Sequence, residues 1–192
     1  MSKLLFADLE TTGFSREWDA IIEVAAILVD DETWEELGTF HEYIKPHKKI
    51  PLKIEEITGI TNDQVRDCRG EQEVLMDFFD WVYSVSPDSV VGHNYTLFDG
   101  QFIDTRAEKF NLNAFSLPII DTLKIARSKK IPVRMTTATG KPSYKQESLA
   151  DYYSIAYEAH SAIEDVRAII KIYRKMVSKT GDIKVAREKL GF

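Results

Sequence analysis

Residues 3–13 read Lys3-Leu4-Leu5-Phe6-Ala7-Asp8-Leu9-Glu10-Thr11-Thr12-Gly13. The run from Lys3 to Leu9 is short and apolar, the pattern of a strand buried on both faces. Side chains at i and i+2 of a strand share a face, so Asp8 and Glu10 project side by side. Two adjacent carboxylates in a partly buried place repel each other and are costly to desolvate. Divalent cations would remove that cost. The pair therefore suggests a metal site whose other ligands lie elsewhere in the chain.

Outward from this strand, Ala20 to Val29 is apolar and β-branched until Asp30-Asp31-Glu32 breaks it. Trp34 to Ile44 alternates loosely and Pro46 ends it. Breaks this short predict an antiparallel meander of three strands. Residues 51–57 read as a short helix, and Thr58-Gly59-Ile60-Thr61 as a turn with Thr61 or Asn62 placed to cap the next segment. Glu71 to Tyr83 carries Val74, Leu75, Phe78, Phe79 and Val82 at helical spacing, a core-facing stripe. Ser89 to Gly92 and Leu117 to Asp121 read as short strands, with a helix from Leu97 to Phe110 between them and another from Thr122. Lys129 to Gln146 holds Pro132, Gly140 and Pro142 without clear periodicity and reads as a long loop. Helices are read at Ser148 to Tyr153 and Ser161 to Val177, with a last short one at 183–190. Three leading strands and then alternating helices and strands predict an α/β domain, a mixed sheet flanked by helices.

The 192 residues are one domain by length, 1–192, large enough for a sizeable core. Hydrophobic content of 44% and charged content of 29% fit a soluble globular protein. A net charge of -6 gives no global attraction to nucleic acid, so a polyanionic ligand would need local basic patches or bound cations. The lone Cys68 excludes an internal disulfide framework and fits a reducing compartment. The first apolar run stops at Asp8, too short for a signal peptide, and no run reaches transmembrane length. A soluble cytoplasmic protein with no membrane partner is expected.

Two further clusters complete the acidic set: His93-Asn94-Tyr95-Thr96-Leu97-Phe98-Asp99 after a buried strand, and His160-Ser161-Ala162-Ile163-Glu164-Asp165 at a helix start. Ser161 and Glu164 have capping-box spacing. His160 then stands just outside the helix, and loop freedom lets it approach the pocket that Asp165 faces.

With these three motifs in order, the chain resembles the DEDDh 3′–5′ exonucleases, a ribonuclease H-like family. It includes proofreading subunits of bacterial replicative polymerases and the animal three-prime repair exonucleases. Lesser similarities are Ile57-Thr58-Gly59-Ile60-Thr61, Asp121-Thr122-Leu123 and Ser148-Leu149-Ala150. The likeness runs from about residue 3 to 177. His160 sits five residues before Asp165, as the DEDDh branch requires, and Ser161 stands where the DEDDy branch has Tyr. The spacing from His93 to Asp99 is one residue longer than in the bacterial proofreading subunits and resembles the repair exonucleases. An extra residue bulging near Tyr95 to Leu97 would leave Asp99 in place.

The resemblance implies a five-stranded ribonuclease H-like sheet and two Mg²⁺ or Mn²⁺ ions on Asp8, Glu10, Asp99 and Asp165. It implies His160 as general base and release of nucleoside 5′-monophosphates from DNA. It also implies that Thr11, Thr12 and Gly13 seat the 3′ end. Phe14 is placed to stack on the terminal base, and His93 and Asn94 to touch substrate. Lys124, Arg127, Lys129, Lys130, Arg134, Lys141 and Lys145 occur with no acid between Thr122 and Gln146. They form a candidate track for a single strand or frayed 3′ end, with Lys129, Lys130 and Arg134 as its expected contacts. Alternatives are a 3′–5′ exoribonuclease, since one site serves both nucleic acids, and a catalytically silent module that binds nucleic-acid ends. A DNA polymerase is a candidate partner. Trp18 and Tyr95 read as structural and Cys68 as inert. His41 and His47 lack acidic partners at ligand spacing and receive no role.

Overall fold

The computed structural model describes residues 2–156 and 161–178. Its strands are β1 (Lys3–Thr11), β2 (Ile21–Asp30), β3 (Glu36–Tyr43), β4 (Ser89–Gly92) and β5 (Ile119–Asp121). They form one sheet in the order β3-β2-β1-β4-β5. The β1–β2 and β2–β3 pairs are antiparallel, and the β1–β4 and β4–β5 pairs are parallel. The expected mixed, ribonuclease H-like sheet is therefore present. Helices α1 (Leu52–Thr58), α2 (Glu71–Val85), α3 (Asp99–Phe110), α4 (Thr122–Ser128), α5 (Gln146–Tyr153) and α6 (Ala162–Ser178) flank it.

The period of two along β1 feeds two cores. Leu4 and Phe6 pack with Ala25, Ile27 and Val29 of β2 beneath Val166, Ile169 and Tyr173 of α6. Leu5, Ala7 and Leu9 pack on the other face with Phe78, Phe79 and Phe102 of α2 and α3. Each large side chain buried this way stabilises the fold by about 1.5–3 kcal/mol. The α6-facing stripe of β1 continues as Asp8 and Glu10, and the matching stripe of β2 ends in Glu23, directly opposite Glu10. One sheet face thus changes from hydrocarbon to carboxylate within two residues.

Several local expectations change. Trp34 is not strand: at φ 64 it sits in the turn between β2 and β3, with its amide donating to the Asp30 carbonyl at 2.9 Å. Asn62 caps no helix; its amide side chain brackets Ile50, accepting from the Ile50 N–H and donating to the Ile50 carbonyl, both at 2.9 Å. The helix expected from Leu97 begins at Asp99, because residues 94–98 form a turn in which Phe98 N donates to Asn94 O at 3.1 Å. In this turn Tyr95 is buried against Gly92 and Gly100. The long loop contains a small hairpin-like turn, closed by a Thr136–Pro142 bridge and turned at Gly140, φ +75. His160 and the expected helix at 183–190 lie outside the described residues.

Candidate active site

Asp8, Glu10 and Asp165 each offer a carboxylate oxygen, and these atoms lie within 4.8 Å of one another. The first two come from the end of β1. The third comes from the first turn of α6, where Asp165 N donates to Ser161 O at 2.9 Å. Asp8 stands opposite Ala25 of β2. Asp99 arrives from the start of α3, and its Oδ1 accepts the Leu9 amide at 3.2 Å. That bond ties the fourth acid to the backbone between the first two.

Burial and mutual repulsion raise Asp8, Glu10 and Asp99. Desolvation, then the charges of Asp99, Asp165, Glu10 and Glu23, hold Asp8 well above the usual carboxylate range. Glu10 is pushed up to about 8 by desolvation, then by Asp165, Glu23 and Asp99. Asp99 rises to about 7 through desolvation, although the backbone N–H bonds it accepts oppose the shift. Hard, all-oxygen donors carrying this much uncompensated charge fit Mg²⁺ or Mn²⁺.

The carboxylates stand in an open cleft of about 990 Å³, whose other walls include His93, Asn94, Phe98, Arg127, Lys141 and Lys145. Residues 5–173 match the profile of the RNase T family, described as exonuclease. The chain belongs to this exonuclease family. It is 34% identical over 184 residues to the PolC-type DNA polymerase III of Staphylococcus haemolyticus, covering 95% of this chain and 12% of that protein. The polymerase of the same type from Staphylococcus epidermidis is 34% identical over 180 residues, again with 12% of its length matched. Among solved structures, E. coli exonuclease I in complex with a dA16 oligonucleotide superposes with a TM-score of 0.78 at 25% identity. That match covers 93% of this chain and 41% of that one. The chain therefore spans less than half of each relative's length.

In this exonuclease domain the segment after β1 is built by its own side chains. Thr11 Oγ1 donates to Gly13 O at 2.6 Å, and Thr12 Oγ1 donates to Asp19 Oδ1 at 3.2 Å while accepting the Ala20 amide at 2.9 Å. Both hydroxyls are committed to the loop, and Thr11, Thr12, Gly13 and Phe14 border the acid-lined cleft without lining it. Gly13 is required by contact: a Cβ there would stand 2.4 Å from Asp19 Oδ2. Phe14 is 87% exposed, edge-on to Phe98 at 6.1 Å between centroids. Trp18 is 72% exposed, so it does not take the structural role expected from the sequence.

The segment is held from behind by Arg106, a fully buried cation. Its Nε donates to Glu71 Oε1 at 2.7 Å and its Nη1 to Arg16 O at 2.6 Å, and Nη2 donates to Asp19 O. Across the cleft, His93 Nδ1 lies 2.9 Å from Thr122 Oγ1. Desolvation pushes its imidazole down to about 4, so it is neutral at physiological pH. Asp121 shapes the turn before α3, accepting from Asn94 N at 3.1 Å and Thr96 N at 3.2 Å, and it also caps α4 through Leu123 N at 3.0 Å.

The basic rim differs from the one expected. Arg127, Lys141 and Lys145 line the cleft, and Lys129, Lys130 and Arg134 do not. Lys129 Nζ instead donates to Met176 O at 3.3 Å, near the end of α6. His41, given no role by spacing, has an acidic partner after all: its Nε2 lies 2.7 Å from Glu23 Oε1. Gln146, also unanticipated, donates through Nε2 to Asp165 Oδ1 at 2.9 Å and to Asp165 O at 3.0 Å. One signal for Glu23 was present in the sequence, since a lone acid inside the apolar run of β2 must find partners. Among the described residues, no helix is long and apolar enough to cross a membrane.

Proposed function

We propose that this chain is a DEDDh-type 3′–5′ exonuclease that shortens DNA from its 3′ end and releases nucleoside 5′-monophosphates. The observation that carries the reading is the convergence of Asp8, Glu10 and Asp165 within 4.8 Å, with Asp99 bonded to the strand between them. Four acids from three elements gathered in a cleft carry a large desolvation and repulsion cost, which bound cations relieve while leaving the carboxylates ionised. Asp8, Glu10, Asp99 and Asp165 would hold two Mg²⁺ or Mn²⁺ ions. When bound, these lower the pKa of the attacking water and stabilise charge on the departing 3′ oxygen.

The chain's own groups do the rest. His160, assigned by its place five residues before Asp165, takes the proton of the water as general base. The backbone of Thr11 to Gly13 seats the terminal nucleotide, and Phe14 offers an exposed ring for its base. Neutral His93 and Asn94 line the cleft that holds the four acids and adjoin the bound end. Arg127, Lys141 and Lys145 follow the strand's phosphates, so the local rim offsets the net charge of -6. DNA is favoured over RNA by the relatives, named as DNA polymerases and as an exonuclease bound to a deoxy-oligonucleotide. Because those polymerases carry the matching stretch within their own chain, a polymerase is the partner to test first.

The test incubates the purified protein and Mg²⁺ with 5′-labelled single strands of matched DNA and RNA. A ladder descending from the 3′ end of DNA, with mononucleotide products and inhibition by EDTA, is expected. Intact strands in both samples reject the enzyme reading, and faster shortening of RNA moves the substrate to RNA.

A further inference from the structure

We propose that Glu23 is a positioning residue, a clamp that sets the helix carrying Asp165 against the strand carrying Asp8 and Glu10. The inference rests on the metal-site reading above. Glu23 is fully buried and faces Glu10 directly across the β1–β2 pair. A third acid on that face adds repulsion, and its charge contributes to the upward shifts of Asp8 and Glu10. Such a carboxylate is destabilising unless its oxygens are satisfied.

Both oxygens have partners, and neither is among the converging donor atoms. Oε1 meets His41 Nε2 at 2.7 Å, and Oε2 accepts the Ala162 amide at 3.0 Å. Ala162 is the first residue of α6, and helix-start amides lack partners within the helix and carry partial positive charge. The bond joins residues 139 apart in sequence and fixes the helix origin one turn before Asp165. His41 stands opposite Ala25, in the same cross-strand row as Asp8, and reaches Glu23 in the next row from the edge strand β3. The line His41–Glu23–Ala162 thus runs from the sheet edge to the start of α6, and Gln146 grips the Asp165 carboxylate from the other side.

The test is Mn²⁺ binding measured by calorimetry without nucleic acid, on wild type, Glu23→Ala, Glu23→Gln and His41→Ala, with thermal unfolding recorded for each. Glutamine retains an oxygen for the Ala162 amide and an NH₂ that His41 Nε2 can accept in its Nδ1–H tautomer, so it preserves the clamp without the charge. Glu23→Ala is expected to weaken Mn²⁺ binding by about 10–100-fold, while Glu23→Gln stays within about threefold of wild type. His41→Ala is expected to fall between them, and it keeps the comparison with Glu23→Gln decisive if Glu23→Ala does not fold. Wild-type Mn²⁺ affinity in folded Glu23→Ala, or a loss in Glu23→Gln as large as in either alanine variant, overturns the clamp alone. A wild-type protein that binds no Mn²⁺ overturns the metal-site reading beneath it.

Discussion

Asp8 and Glu10 stand on the central strand of the sheet, paired with β2 on one side and β4 on the other. Lys141 and Lys145 stand on or beside a small turn whose closing bonds are Thr137 N to Lys141 O and Ser143 N to Met135 O. The acidic wall of the cleft is therefore placed by sheet register, which a one-residue slip would invert and which buried neighbours on both faces prevent. The basic rim is placed by a few surface hydrogen bonds, of the kind that open at low free-energy cost. The wall suits chemistry, which needs donor atoms held to fractions of an ångström. The rim suits a flexible polyanion, which needs only charge along its path.

Removing part of the wall gives the largest expected effect. Asp8→Ala should lower the rate of nucleotide release by roughly 10³-fold or more, because ligands that act as a unit are not replaced by their neighbours. Unfolding by heat should be unimpaired in this variant, since a repelled, half-buried carboxylate has been removed. Single-turnover rates and a melting curve check both parts, and near-wild-type activity breaks the assignment.

Next is the hinge between wall and substrate. Gly13→Ala drives a methyl into the Asp19 carboxylate, an overpacking worth about 1–3 kcal/mol. A rise in KM with a smaller loss in kcat is expected if the segment seats the 3′ end. An unchanged KM would detach that segment from binding.

The rim should yield less. Lys141→Ala with Lys145→Ala should weaken single-strand binding and reduce the slope of log affinity against log salt by about 1.4, or about 0.7 for each phosphate no longer neutralised. Neutralising Lys129, Lys130 and Arg134 together should do less, because none of the three lines the cleft. Equal salt slopes for the two sets would extend the track beyond the cleft.

The smallest effect concerns the metal-free protein. Glu10 binds its proton more tightly folded than unfolded, its value rising from 4.5 to about 8. The folded state then holds the extra proton between those values, so stability present at low pH is lost as pH rises from about 4.5 to about 8. Melting temperature should fall steadily across that window in EDTA. Mn²⁺ at pH 8 should restore it. A flat profile in EDTA would mean that Glu10 is far better hydrated than its setting implies.

The legible part of the site was the part governed by periodicity. The alternation through Leu4, Phe6, Asp8 and Glu10 put two acids on one face, and two later motifs added Asp99 and Asp165. Gln146 was less legible, since nothing in a loop-to-helix junction says that its amide will turn toward residue 165. Arg106 falls on the same side of α3 as Phe102 and Ile103, a hint of burial without a hint of its partners. The basic residues between 124 and 146 were visible as a charge run, but charge alone does not say which of them face a cleft.

The amino-acid sequence by itself determined the mixed sheet, the acid pair on its first strand and the motif order that marks the family, because these arise from local spacing and side-chain chemistry. Only the tertiary structure decided that Glu23 meets His41 and Ala162, that Asp19 excludes a side chain at position 13, and that Lys141 rather than Lys129 borders the cleft. Periodicity reports which face a residue occupies. The groups opposite that face are set by register and helix packing between segments as much as 139 residues apart.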